Sequence, residues 1–182
     1  MFWFKKRISY AEASTQLAAA LIGSEVRRMT ELNPLAVTDE ARAVPPSPEQ
    51  RRVLHILSLF NLLKGLEAAS PKPEIGHQLA SSLVAAYEQE LVRSGVFSSS
   101  SQLRALIDEC KVGFSEAASA ATSTLPEQAR IAESVLRLCG EPSKDIAAIV
   151  GVSGLIAIQR TEGANLFKKL LRSYSFTPNA DA

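Results

Sequence analysis

The chain has 182 residues, with 20 basic against 19 acidic side chains and a formal net charge of +1. That length can bury a substantial core without metal or disulfide support, and the balanced charge provides no global field to steer nucleic acid or anionic lipid. Two cysteines and two histidines supply few metal ligands and few general bases, and they predict a reduced, cytoplasmic setting without a structural disulfide.

The opening residues Met1-Phe2-Trp3-Phe4-Lys5-Lys6-Arg7 place apolar side chains before cations, the reverse of a secretory signal. Aromatic rings and cations both favour a membrane interface, so Phe2, Trp3 and Phe4 are candidates for a weak, reversible lipid contact or for packing against protein. Residues 1–8 therefore read as an aromatic and basic segment and 9–174 as one helical bundle domain. Residues 175–182 read as a frayed tail.

Ser9 and Glu12 form a capping-box pattern that opens a helix over about residues 10–32. The stretch 33–48 contains Pro34, Pro45, Pro46 and Pro48 and reads as a connector, ordered or flexible. Ser47, Pro48 and Gln50 then open a second helix to about Ala69. Its body is apolar almost all round from Val53 to Leu66, which predicts a central place in a bundle. A third helix over about 74–94 is expected to turn Ile75, Leu79, Leu83, Ala86 and Leu91 inward and to end at Gly95. After the serines at 98–101, a fourth places Leu103, Ile107, Cys110 and Phe114 at helical spacing. Thr124, Pro126 and Glu127 open a fifth, with Ile131, Val135 and Leu138 buried and Gly140 at its exit. Two more helices are expected over 144–150 and about 154–173. The predicted fold class is all-α, a single-domain bundle of about seven helices.

Glu74 and His77 have the Glu-x-x-His spacing of di-iron bundles, but such a site needs a second copy, and the residue three before His55 is Arg52. Cys110 and Cys139 lack the close spacing of a zinc site, and Asp108 and Glu109 beside Cys110 oppose thiolate formation. No phosphate loop, nucleophile elbow or dinucleotide fingerprint occurs. The expectation is a non-enzymatic protein without catalytic residues, metal or cofactor.

Asp145-Ile146-Ala147 followed by Val150-Gly151-Val152-Ser153 resembles the helix-turn-helix of bacterial regulators, with an alanine at the helix contact and a glycine in the turn. The resemblance spans about 143–161. It implies a second helix that presents side chains to base edges and phosphates. Leu155 and Ile156 stand at the start of that helix, where regulators carry polar groups, so only Gln159, Arg160 and Thr161 remain to reach bases, and nucleic acid is disfavoured. The uncharged run from Ile146 to Ile158 is shorter than the roughly 20 residues a spanning helix needs. The closing helix sets Leu166, Phe167, Leu170, Leu171 and Tyr174 on one side and the cations Lys168, Lys169 and Arg172 on the other.

The expected function is protein–protein interaction or self-association as a homo-oligomer, because the aromatic start, the apolar second helix and the 146–158 run exceed what one bundle can bury. A DNA-binding regulator using 143–161 and a peripheral membrane protein anchored through its first residues are the alternatives. Candidate interaction residues are Phe2, Trp3, Phe4, Leu155, Ile156, Arg160, Lys168, Lys169 and Arg172.

Overall fold

The computed structural model describes residues 5–31, 33–36, 38–119, 125–141 and 144–177; Phe2, Trp3, Phe4, Thr124 and Ser143 lie outside this set. In chain order the elements are β1 (Lys6–Ser9), α1 (Tyr10–Glu31), α2 (Asp39–Arg42), α3 (Pro48–Ala69), α4 (Pro73–Arg93), α5 (Ser100–Ser119), α6 (Glu127–Leu138), α7 (Ile146–Ser173) and β2 (Tyr174–Thr177). The protein is an all-α bundle, with two four-residue strands as its only sheet among the described residues.

Helix α3 opens with a complete capping box. The Ser47 Oγ accepts from the Gln50 amide at 3.2 Å, and the Gln50 Oε1 accepts from the Ser47 amide at 2.8 Å. Pro48 follows at the first helical position, where no amide hydrogen is required. The helix buries Val53, Leu54, Ile56, Leu57, Leu59, Leu62 and Leu66 and packs against α1, α4, α5, α6 and α7. Two apolar clusters lie along it. One joins its first half to α5, α6 and the first half of α7; the other joins Leu62 and Leu66 to Tyr10, Leu17, Leu79, Leu83 and Phe167. Most of the apolar surface of α3 is thus consumed inside the bundle, so this helix supplies no surplus for an outside partner.

Helices α3 and α7 cross closely at Gly65. A Cβ added at Gly65 would sit 2.8 Å from the Ala164 nitrogen and 3.0 Å from the Gly163 carbonyl carbon, so the two backbones meet there without an intervening side chain.

Residues 146–173 are one helix, not two. Asp145 caps it, its Oδ1 accepting from the amides of Ala147 at 2.9 Å and Ala148 at 3.1 Å. Gly151 and Gly154 lie in its interior, and the positive φ angles among the described glycines occur elsewhere, at Gly95 and Gly140. The cause is a single buried stripe, Ala148, Val152, Ile156, Gly163 and Phe167, that continues at helical spacing through the glycines. A turn at Gly151 would swing half of that stripe into water. Its burial outweighs the roughly 1 kcal/mol that each interior glycine costs. The helix-turn-helix that the resemblance implies is therefore absent from 144–161.

Two further segments depart from expectation. The 33–48 connector contains the short helix α2, is closed by a bond from the Asn33 amide to the Arg42 carbonyl at 3.0 Å, and buries Leu35. Of the expected tail, residues 175–177 instead belong to β2, which pairs in parallel with β1 in the register Lys6 with Tyr174 and Ile8 with Phe176. The rings of Tyr10 and Phe176 stack with centroids 5.2 Å apart, and Ile8 and Tyr10 are buried. The opening of α6 differs too, because its cap is Pro126 and no side chain bonds there.

Candidate functional site

Where the two apolar clusters adjoin, a band of polar side chains crosses the bundle. Glu25 of α1 receives two donors on one carboxylate oxygen, Oε2: the His55 Nδ1 at 2.8 Å and the Tyr87 hydroxyl at 2.7 Å. Opposite them, the Gln159 Nε2 donates to the Ser58 Oγ at 2.7 Å while its Oε1 accepts from the Asn61 Nδ2 at 2.8 Å. Arg160 extends the chain, its Nε donating to the Asn61 Oδ1 at 3.1 Å and its Nη2 to the Glu127 Oε1 at 3.0 Å. Leu155 is half-buried against the apolar core, and Ile156 is wholly buried.

Helical spacing explains the band. His55, Ser58 and Asn61 recur every three residues on α3, a row that faces α1 on one side and α7 on the other. Each of these buried groups is paired, as low dielectric requires. Burial, then the Glu25 carboxylate, holds the Tyr87 phenol well above its ordinary value of 10.0, so it remains a donor. A cavity of about 220 Å³ adjoins the band, lined by Glu25, Arg28, Ser58, Tyr87, Gln159 and Glu162 among others.

The thiols do not form a reactive centre. Burial pushes Cys110 and Cys139 up to about 12, assisted by Glu109 at the first and by Cys110 and Glu141 at the second. Glu74 and His77 are both exposed on α4. Among the described residues, no group of three or more His, Cys, Asp and Glu side chains is placed to hold a metal ion.

A different kind of site lies between α6 and the first half of α7. An apolar groove of about 710 Å³ is lined by Leu125, Ala129, Ile146, Ile149, Val150, Gly154 and Ala157, with Glu133 and Lys144 at its margin. Ile146 is 77% exposed and Val150 65%, and Ile158 beyond them is 54% exposed. These side chains are apolar and wet, on a face of α7 different from its buried stripe.

No protein-family model, curated protein or solved structure matches the chain.

The nine expected interaction residues fall into three groups. Phe2, Trp3 and Phe4 lie outside the described residues. Leu155, Ile156 and Arg160 are not on a reading face: Ile156 has no exposed surface, and Arg160 is committed to Asn61, Glu127 and the Phe60 ring, 6.0 Å from its guanidinium carbon. Lys168, Lys169 and Arg172 are exposed on the last turns of α7. Ile146 and Val150 belong to the 146–158 run but were not singled out within it, because a helix broken at Gly151 does not show which apolar residues share a face. Treating 146–158 as continuous separates Ala148, Val152 and Ile156 from Ile146, Val150 and Ala157. No helix among the described residues is long and apolar enough to cross a membrane.

Proposed function

We propose that this is a cytoplasmic, non-enzymatic interaction module that self-associates through the groove between α6 and α7. The exposure of Ile146 and Val150 on the rim of an apolar groove supports this reading, since monomers rarely leave such side chains grouped in water. The same helix carries both a ridge and a groove edge, so a two-fold arrangement lets α7 of one copy lie in the groove of another. Gly154 and Ala157 within that face permit close helix approach. Glu133 and Lys144 put one charge of each sign at the margin, and a second copy meets no net repulsion there.

The face from Ile146 to Ile158 is roughly 18 Å long at 1.5 Å per residue. One such contact covers less than the roughly 800 Å² per partner of a standard interface, which places the dimer among weak, transient assemblies. Sedimentation velocity over a concentration series tests this. A monomer–dimer equilibrium abolished by Val150→Lys is expected; a strict monomer at high micromolar concentration, or a dimer indifferent to Val150→Lys, refutes it.

The unbroken α7 and the bond from Arg160 to Glu127 favour self-association over the DNA-binding alternative.

A further inference from the structure

The pairing of β1 with β2 brings together two basic segments far apart in sequence. Lys5, Lys6 and Arg7 lead into or lie on β1; Lys168, Lys169 and Arg172 occupy the last turns of α7, immediately before β2. The register sets Lys6 beside Tyr174, two residues beyond Arg172. Lys5 crosses to the helix itself, its Nζ donating to the Leu171 carbonyl at 2.7 Å. All six cations are exposed, and none forms an ion pair with another described residue. The nearest carboxylate in sequence to the first three is Glu12, which also receives Gln16 at 3.4 Å. A chain of almost no net charge therefore concentrates positive charge at one end of the bundle.

We propose that this end is a docking surface for an anionic lipid bilayer. Lys168, Lys169 and Arg172 recur at three- and four-residue spacing, so they share one exposed face of α7, and the strand pairing holds Lys5, Lys6 and Arg7 beside the end of that helix. That gives a broad basic area suited to a planar charged surface. The sequence continues back from Lys5 into Phe2-Trp3-Phe4, the residue types that enter the headgroup region beside such cations. A basic patch alone would equally suit a polyphosphate; the aromatic triplet that precedes Lys5 in the sequence favours a surface with an apolar layer beneath its charges.

The test uses the full chain and co-sedimentation with vesicles of phosphatidylcholine, with and without phosphatidylserine. Binding only to the serine-containing vesicles, and its loss in high salt, is expected. The triple variant Lys168→Gln, Lys169→Gln, Arg172→Gln alters exposed positions alone and weakens binding about 100-fold, from about tenfold per 1.4 kcal/mol and about 1 kcal/mol per cation. Phe176→Ala removes no charge but takes away the ring that stacks on Tyr10. Once amide exchange at Lys6–Ser9 confirms that the strands have parted, it weakens binding about fivefold by dispersing the patch. No binding to phosphatidylserine vesicles overturns the proposal. So does undiminished binding by the triple variant or by the strand-opened Phe176→Ala protein, or displacement of the vesicles by short duplex RNA at equal phosphate.

Discussion

Replacing Gly65 by alanine puts a single methyl group where α3 and α7 cross backbone to backbone. In an open helix this change stabilises by about 1 kcal/mol, because glycine is the poorer helix former. At Gly65 the new Cβ would stand 2.8 Å from the Ala164 nitrogen, 3.0 Å from the Gly163 carbonyl carbon and 3.1 Å from the Arg160 carbonyl oxygen. All three are backbone atoms of a helix packed on its other side and cannot rotate away. Overpacking of this kind costs about 3 kcal/mol, the upper end of the usual range, and leaves a net loss of about 2 kcal/mol. For a chain of this size that lowers Tm by about 4–8 °C. Gly23→Ala and Gly151→Ala provide the control, since neither new Cβ meets an atom within 4 Å. Each should raise stability by about 0.5–1 kcal/mol. Urea denaturation followed by circular dichroism measures all three in one series. A stabilised Gly65→Ala protein would refute the α3–α7 crossing. A destabilised Gly151→Ala protein would refute the unbroken α7, because only a left-handed turn at that position penalises the methyl group.

Glu25→Leu strands the buried donors of His55 and Tyr87 and should lower the unfolding free energy by about 3 kcal/mol, read by urea denaturation. A change within error would mean the cluster is not formed. Stability should also fall at alkaline pH. The folded-state values of Cys110, Cys139 and Tyr87 are raised, so above about pH 9 for the thiols and pH 10 for the phenol the unfolded chain sheds protons that the folded one keeps. Melting curves from pH 8 to pH 11 check this, and Tyr87→Phe should flatten the upper part of the decline. The same raised thiols predict that Ellman's reagent at pH 7.5 labels the folded protein far more slowly than the urea-unfolded chain. Asp145→Ala should cost α7 about 1 kcal/mol through its two lost cap bonds, measured by thermal melting.

The helices were legible where a cap and an apolar stripe agreed. Ser47 with Gln50 marked the start of α3 to the residue, and Leu79, Leu83 and Leu91 marked the inner face of α4. The seventh helix was misread because Gly151 was weighed as a local turn signal, whereas tertiary burial of Val152 and Ile156 decided the outcome. The count of about seven helices survives with different membership: two expected helices merge into α7, and α2 appears within the connector. The polar band was illegible in principle from one sequence, since Glu25, His55 and Tyr87 sit on three helices and meet only through packing. Even so, His55, Ser58 and Asn61 at three-residue intervals on an otherwise apolar helix were a visible signal that some neighbour must supply polar groups. The strand pair gave less warning. Four residues on each side carry little pattern, and their pairing follows from the start of α1 and the end of α7 sharing one apolar cluster.

That strand pair also constrains the order in which the molecule is made. Ile8 and Phe176 are opposite one another but separated by nearly the whole chain, so during synthesis β1 emerges first and waits without its neighbour until β2 has left the ribosome. Closing so long a loop is the slowest kind of contact to form. The helices between the two strands can consolidate beforehand through contacts nearer in sequence, and the pair then closes as a latch. The basic face that depends on it is consequently assembled only after the helices between the strands have packed.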